Sequence, residues 1–199
     1  MPEAWSPDGK TLLFSAKKNG LFSLLMFSFE SRQISAFGNV QSRNPISASF
    51  SPDGHWIAYS SFGSGRGQGG ARNPDAGVYV EPFPATNARY QVPKEFFDFH
   101  PVWSATSAEL FYIPSGSRFS AVPVHTQPSF AFGKTESLPI GPTRDRINSD
   151  VRGYDVMADG RFLSTLPADE EEVSGANAAP EIRVVFNWLE ELKRRVPVK

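Results

Sequence analysis

The stretch "WSPDGK" at residues 5–10 returns as "FSPDGH" at residues 50–55, and a worn form, "VMADGR", stands at residues 156–161. In the second copy Pro52 fixes φ at the second position of a type I turn, and Asp53 is placed to accept hydrogen bonds from nearby backbone amides. Gly54 can take the left-handed conformation that closes a hairpin with a bulge. Pro7, Asp8 and Gly9 have the same offsets and the same roles. A repeated carboxylate could also serve as a ligand or a general base. Backbone geometry alone accounts for every residue of the motif, however, so it is read as a corner of the chain. In a further copy, "WSATSAE" at residues 103–109, Thr106 and Ser107 replace the Asp-Gly pair. A non-glycine residue in the left-handed region costs about 1 kcal/mol, so that corner is expected to be looser or of another type.

Working outward, the residues two before each corner are Trp5, Phe50, Trp103 and Val156, at intervals of 45, 53 and 53 residues. Each unit has the same order: a short apolar strand, the corner, a second strand, a loop, a third strand and a weaker fourth. The first unit reads Ala4–Ser6, "TLLFSA" from Thr11, "LFSLLMFSF" from Leu21, and Gln33–Ala36. The second reads "ASF", "WIAYSS", "GVYVEPF" and "RYQV", and the third "PVW", "ELFYIP", "FSAVPV" and a poorly defined last strand. Four short strands repeating every 40 to 50 residues or so are the signature of propeller blades. The predicted fold is an all-β β-propeller of four-stranded antiparallel blades over residues 1–186, with units starting near 3, 48, 101 and 154.

The C-terminus changes period. "EIRVVF" at residues 181–186 alternates as a last strand, and "NWLEELKRRVP" then repeats at about 3.6 residues, predicting a short α-helix within a second region, residues 187–199. Asn187 can cap it with Glu190, the pairs Glu190–Arg194 and Glu191–Arg195 support it, and Pro197 ends it. Trp188, Leu189, Leu192 and Val196 form one apolar stripe, which either packs on the propeller or docks a partner.

Composition narrows the function classes. Of 199 residues, 40% are hydrophobic and 21% charged, with a net charge of -1, so neither general disorder nor a broad polyanion-binding surface is indicated. Phe at 17 copies, with 16 Gly and 17 Pro, fits short strands between turns. Cysteine is absent, which removes disulfides, thiolate zinc sites and cysteine nucleophiles together. No apolar run approaches the roughly 18 to 20 residues that span a bilayer, and the N-terminus lacks the order of a signal peptide. Met1 leaves only four residues before the first motif, so the sequence is expected to be the end of something longer.

The Ser-Pro-Asp-Gly repeats resemble the WD-like propeller repeats of the TolB type. From about residue 45 onward the likeness is finer: "GVYVEPFP", "PVWSATSAELFYI", "FSAVPV", "YDVMADGRFL" and "IRVVFNWLEELKRRVP" resemble the propeller that follows the kinase domain in acidobacterial-type Ser/Thr protein kinases. This resemblance implies a sensory or scaffolding propeller, outside the cytoplasm, that binds a protein or small ligand at its central channel or loops. A stand-alone TolB-like periplasmic interaction propeller is the alternative, and the accessory propeller of a prolyl-oligopeptidase-like hydrolase comes third. The sequence itself leaves a cytoplasmic location open. The chain has no Gly-rich loop with a Val-Ala-x-Lys strand, no His-Arg-Asp loop, no Asp-Phe-Gly and no Gly-x-Ser-x-Gly elbow. It is therefore expected to be non-catalytic, with no catalytic, cofactor or metal residue to name. Propellers close with about four to eight blades, and TolB-like rings usually with about six; with four units, either two blades lie upstream in a longer parent, or a small ring closes, or two chains combine, and an open arc would leave bare strand edges that invite self-association.

Three further features carry residues of possible chemistry. "GSGRGQGGARNPDAG" at residues 63–77 is a hairpin tip whose glycines, with Arg66 and Arg72, could hold an anion or nucleic acid. No helix follows to build a phosphate loop, and the reading is an insertion with no nucleic-acid partner. Asp169, Glu170, Glu171 and Glu172 lack the alternating spacing of a calcium loop and read as a solvated linker. His55, His100 and His125 have no metal-ligand spacing.

Overall fold

The computed structural model describes residues 1–64, 73–114, 118–138 and 152–164. The predicted last strand, the acidic stretch and the C-terminal helix lie outside the described residues, as do Arg66 and Arg72.

The first sheet is an antiparallel ladder in sequence order: β1 (Pro2–Trp5), β2 (Thr11–Lys18), β3 (Leu21–Ser28) and β4 (Gln33–Ser42). The second repeats it with β5 (Ala48–Phe50), β6 (Trp56–Phe62), β7 (Ala76–Pro82) and β8 (Tyr90–Gln91). In the third, β9 (Phe99–Trp103), β10 (Glu109–Ile113) and β11 (Ser120–His125) are followed by two short pieces, β12 (Ala131–Phe132) and β13 (Glu136–Ser137), which both pair with β11. The poorly defined fourth strand of that unit is thus a strand in two parts. β12 reaches Val124 and β13 begins at Ala121, and between them lies Pro123, which has no N–H for a ladder. The fourth unit contributes β14 (Tyr154–Val156) and β15 (Phe162–Ser164). The first strands of the four sheets begin at Pro2, Ala48, Phe99 and Tyr154, and no helix occurs among the described residues.

First strands are neighbours: β1 lies by β5, β5 by β9 and β9 by β14. Successive sheets pack face on face around that line, as blades do. Leu13, Leu24, Phe37 and Val40 of the first blade meet Phe50, Ile57 and Tyr59 of the second. Residues on the alternate positions of the second blade, Ala58, Val78 and Val80, meet Trp103, Leu110, Tyr112 and Val122 of the third. Phe99, Val102 and Phe119 then meet Tyr154 and Phe162. The second blade is therefore covered on both faces, and "WIAYSSF" of β6 is buried almost without a break, where a half-solvated strand would alternate.

The corners behave as their chemistry dictates. Ser51 Oγ donates to Asp53 Oδ1 at 2.5 Å and accepts from the Trp56 amide at 2.9 Å, while the His55 amide donates to Asp53 Oδ1 at 3.0 Å. Ser6, Asp8, Lys10 and Thr11 reproduce all three bonds. Gly9, Gly54 and Gly160 take φ of 71°, 74° and 84°. The corner at Ser104 corrects the expectation of a looser turn. Ser107 accepts a φ of 60°, its amide donates to Ser104 O at 3.0 Å as Gly54 does to Ser51 O, and Ser104 Oγ accepts from Glu109 N. The ladder on either side over-determines the turn, and Ser107 Oγ also accepts from the Asp53 amide of the neighbouring blade at 3.2 Å. Bonds made in this context offset a left-handed cost of about 1 kcal/mol.

Replacing Asp53 by Ala should lower unfolding stability in urea by about 1 kcal/mol, and Ser51→Ala by about 2 kcal/mol because it also strands the Trp56 amide. Stability unchanged in both variants would contradict a structural role for the corner.

Candidate functional site

A groove of about 410 Å³ opens where the first blade meets the second, lined by Asn39, Gln41, Asp75, Tyr79, Arg89 and Gln91 among others. Its shape begins with a bulge. Leu25 pairs with Ala36 but Ser23 pairs with Gln41, so β4 carries extra residues opposite a short stretch of β3. Such a bulge bends the strand and re-aims its side chains. Gly38 sits in it with φ of 52°, and a Cβ there would come within 3.0 Å of Glu81 Oε2. Only glycine lets β4 approach that carboxylate so closely.

Past the bulge, β4 is stitched to the end of β6. Ser61 Oγ donates to Gln41 O, the Phe62 amide to Ser42 Oγ and the Arg43 amide to Gly63 O, each at 3.0 Å. The opposite wall is tied at the neck of the glycine-rich hairpin. Asn73 Nδ2 donates to Phe62 O at 2.8 Å, Gln91 Nε2 to Pro74 O at 3.2 Å, and Lys94 Nζ to Asn73 O. The site is thus held by backbone on both sides.

Behind the groove Glu81 is buried and accepts the Tyr59 hydroxyl at 2.6 Å. Burial, reinforced by that hydrogen bond, pushes the Tyr59 phenol far above its ordinary range, so it remains a donor at any physiological pH. Tyr59 and Tyr79 stack at 5.7 Å between centroids. The Arg89 guanidinium lies 3.6 Å over the Tyr79 ring, with its Nε 4.0 Å from Glu81 Oε1. With 43% of its side chain exposed, Arg89 presents a cation fixed in plane by the ring beneath it. This arrangement can hold a charged or hydrogen-bonding ligand.

Other ionisable groups do structural work. The Ser6 hydroxyl and the Lys10 amide hold the Asp8 carboxyl below its usual range, which makes it a poor base. Asp98, with φ of 52°, caps its own loop by accepting from the Glu95 and Phe96 amides at 2.9 and 3.1 Å, and burial raises its carboxyl. Glu95 in turn accepts from Arg118 at 2.9 Å and from Ser120 Oγ. His100 is buried on β9, whereas His55 and His125 are exposed at the ends of other strands, so the three are not brought together. Among the described residues no group of three or more His, Cys, Asp or Glu could hold a metal.

Four of the groove residues, Gly63, Ser64, Pro74 and Asp75, fall in the stretch 63–77 that the sequence suggests is an insertion, and nothing in the sequence singles out Asn39, Gln41, Tyr79, Arg89 or Gln91. Gly38 lies just past the predicted strand Gln33–Ala36, which gives no sign of the bulge. Besides the strand edges expected from the sequence, a sheet face of the first blade is exposed. Trp5, Leu12, Phe27 and Ile34 lie in one cross-strand row on the side of the first blade away from the second. Trp5 is 57% and Ile34 62% exposed, and Phe29 stacks on Trp5 at 5.0 Å.

These sheets and their face-to-face order define the chain as a β-propeller of four-stranded antiparallel blades. Comparison with solved structures agrees. The chain is similar to TolB from Acinetobacter baumannii, with a TM-score of 0.54 and 22% identity over 81% of this chain and 41% of that one. A protein of Agrobacterium tumefaciens assigned as TolB gives 0.53 and 16% identity over 84% of this chain and 58% of that one. The β-propeller domain of Cps50 (Swd1) from Myceliophteria thermophila gives 0.51 and 14% identity over 81% of this chain and 47% of that one. The chain therefore spans about two fifths to three fifths of the length of these proteins, and at such identities the likeness is one of fold. No family model and no curated protein matches the sequence. Among the described residues no helix is long and apolar enough to cross a membrane.

Glu3, on β1, yields a pH prediction. Burial raises its carboxyl from the usual 4.5 to about 6, against the lowering effects of the Ser15 hydroxyl, the Ala48 backbone and the charges of the N-terminus and Arg152. A raised acid favours the folded state while protonated, so this contribution is complete below about 4.5 and is lost as pH rises through about 6. Denaturation at about pH 4.5 and pH 7 should show Glu3→Gln removing roughly 1 to 2 kcal/mol of that decline. An unaltered pH slope would refute the assignment.

Proposed function

We propose that this chain is a non-catalytic binding module of the TolB-like propeller type, which takes a protein or small ligand through the groove between its first two blades. The observation that carries this reading is Arg89, held over Tyr79 at the mouth of a polar groove whose walls are hydrogen-bonded in place. The described residues offer no nucleophile paired with a base in that groove, and its cation and amides are recognition groups.

The sequence resemblance supports a finer reading, in which the module is the extracytoplasmic sensory part of a bacterial Ser/Thr kinase-like protein. The stand-alone periplasmic propeller is the competing assignment. The reading frame ahead of residue 1 separates them: a kinase domain and membrane span favour the first, a secretion signal the second, and neither feature removes both. For binding itself, a thermal-shift screen should find a ligand that raises Tm saturably, by an amount equivalent to about 2.7 kcal/mol at a hundredfold excess over Kd. That shift should disappear in Arg89→Ala, and the ligand should be recovered unchanged. Turnover of substrate by the pure protein would overturn the non-catalytic assignment.

Self-association belongs to the same proposal. The open face of the first blade has the apolar character of the faces already paired between blades, and a second copy can cover it. Sedimentation of the full chain should give twice the monomer mass, and Ile34→Lys, at an exposed site tolerant of charge, should return the monomer with an unchanged far-ultraviolet spectrum. A chain that is monomeric at tens of micromolar would exclude this association.

A further inference from the structure

The groove holds opposite charges on different elements. Arg89 precedes β8, and Asp75, at the neck of the hairpin before β7, lines the same cavity with Asn39, Gln41 and Gln91. Asp75 is exposed, and its backbone is fixed: its amide donates to Asn73 Oδ1 at 3.0 Å and its carbonyl accepts the Tyr79 hydroxyl at 3.0 Å. Arg89 rests over the Tyr79 ring, its Nε lies 4.0 Å from Glu81, and 43% of its side chain is exposed. A cation ordered by the ring it rests on and a carboxylate on a held backbone therefore line one space together with neutral amides.

We propose that the groove binds a zwitterion of the amino-acid type, either a free α-amino acid or a short peptide with free termini, its carboxylate on Arg89 and its ammonium on Asp75. This rests on the binding-module reading and adds the ligand class. A planar guanidinium suits a carboxylate, with which it can form two parallel hydrogen bonds. The amides of Asn39 and Gln41, two residues apart on β4, offer both a donor and an acceptor to a peptide group. The volume, about 410 Å³, lies near the small end for small-molecule sites and suits one or two residues.

Two rival classes fit less well. A phosphate or other simple anion would meet Asp75 as well as Arg89, and like charges in one cavity repel. A sugar seeks an open aromatic face, and the guanidinium already covers one face of Tyr79, the one aromatic ring among the described lining residues. A zwitterion satisfies both charges at once.

Titration calorimetry on the full chain tests this with L-alanyl-L-alanine, L-alanine, the N-acetylated and C-amidated dipeptides, inorganic phosphate and glucose. The dipeptide or the free amino acid should bind saturably, which also tells the two sources apart. Blocking either terminus should weaken binding at least about tenfold. Asp75→Asn should abolish the preference for a free amine while keeping that for a free carboxylate, and Arg89→Lys, which keeps the charge but not the two parallel hydrogen bonds, should weaken the preference for a free carboxylate while keeping that for a free amine. Because Arg89 also neighbours buried Glu81 and Gln91 ties the neck, Gln41→Ala serves as a groove variant that leaves both intact, and it should weaken the dipeptide severalfold with an unchanged Tm. Equal binding of blocked and free dipeptides, or no binding of either zwitterion at millimolar concentration, would overturn the proposal. Phosphate or glucose binding that is lost in Arg89→Lys would overturn the ligand class and leave the binding-module reading standing.

Discussion

The register between the first two strands of each blade is the constraint on which everything else depends. A strand's side chains alternate with period two, so a slip of one residue would exchange the two faces of the sheet. In the second blade such a slip would exchange Ile57 and Tyr59, which meet the first blade, with Ala58, which meets the third. The corner prevents it by using both capacities of one hydroxyl: Ser51 Oγ donates to Asp53 and accepts from Trp56, which fixes the loop length between β5 and β6. The corners also touch one another. The Asp53 amide donates to Ser107 Oγ of the next blade, and Pro7 of the preceding one lies 3.8 Å from where a side chain on Gly54 would begin. A local turn motif therefore aligns blades as well as strands.

Much of this is legible in sequence because it is local. Pro, Asp and Gly at fixed offsets determine a turn within four residues, and the apolar runs beside them determine strands within eight, so the four repeats and their boundaries need no knowledge of distant contacts. The corner at Thr106 and Ser107 shows the limit of that method. Its residues predict strain, and the strain is present in the φ of Ser107, but the ladder bonds from Ser104 and the contact with Asp53 outweigh it. Propensity is a weak prior where tertiary bonds are already committed.

The groove was illegible for a related reason. Its parts come from β4, from the neck before β7 and from the segment before β8, some 50 residues apart, and no spacing rule links Asn39 to Arg89. What brings them together is a bulge in β4 and a glycine that tolerates the approach of a buried carboxylate. Gly38 follows the predicted strand Gln33–Ala36, and its meaning lies in Glu81, which is 43 positions away. Composition was no help either, since an arginine stacked on a tyrosine and an arginine in solvent are the same letter.

The buried carboxylate of Glu81 raises the question of why a propeller should keep it. Taking an ion out of water is costly unless it is paired and hydrogen-bonded, and an apolar residue of like volume would often be no worse for stability. Glu81 has the Tyr59 hydroxyl at 2.6 Å and Arg89 at 4.0 Å, which is compensation enough to exist and too loose to be an optimum. Its effect is on position. The carboxylate lies against Gly38, holds the hydroxyl of Tyr59 beside its cross-strand partner Tyr79 and lies 4.0 Å from Arg89 Nε, so that the guanidinium rests over the two rings instead of ranging through solvent. A side chain with many rotamers is then ordered before any ligand arrives, and binding need not supply that entropy. The second blade, covered on both faces by its neighbours, is the part of the described chain best able to carry such a charge without yielding.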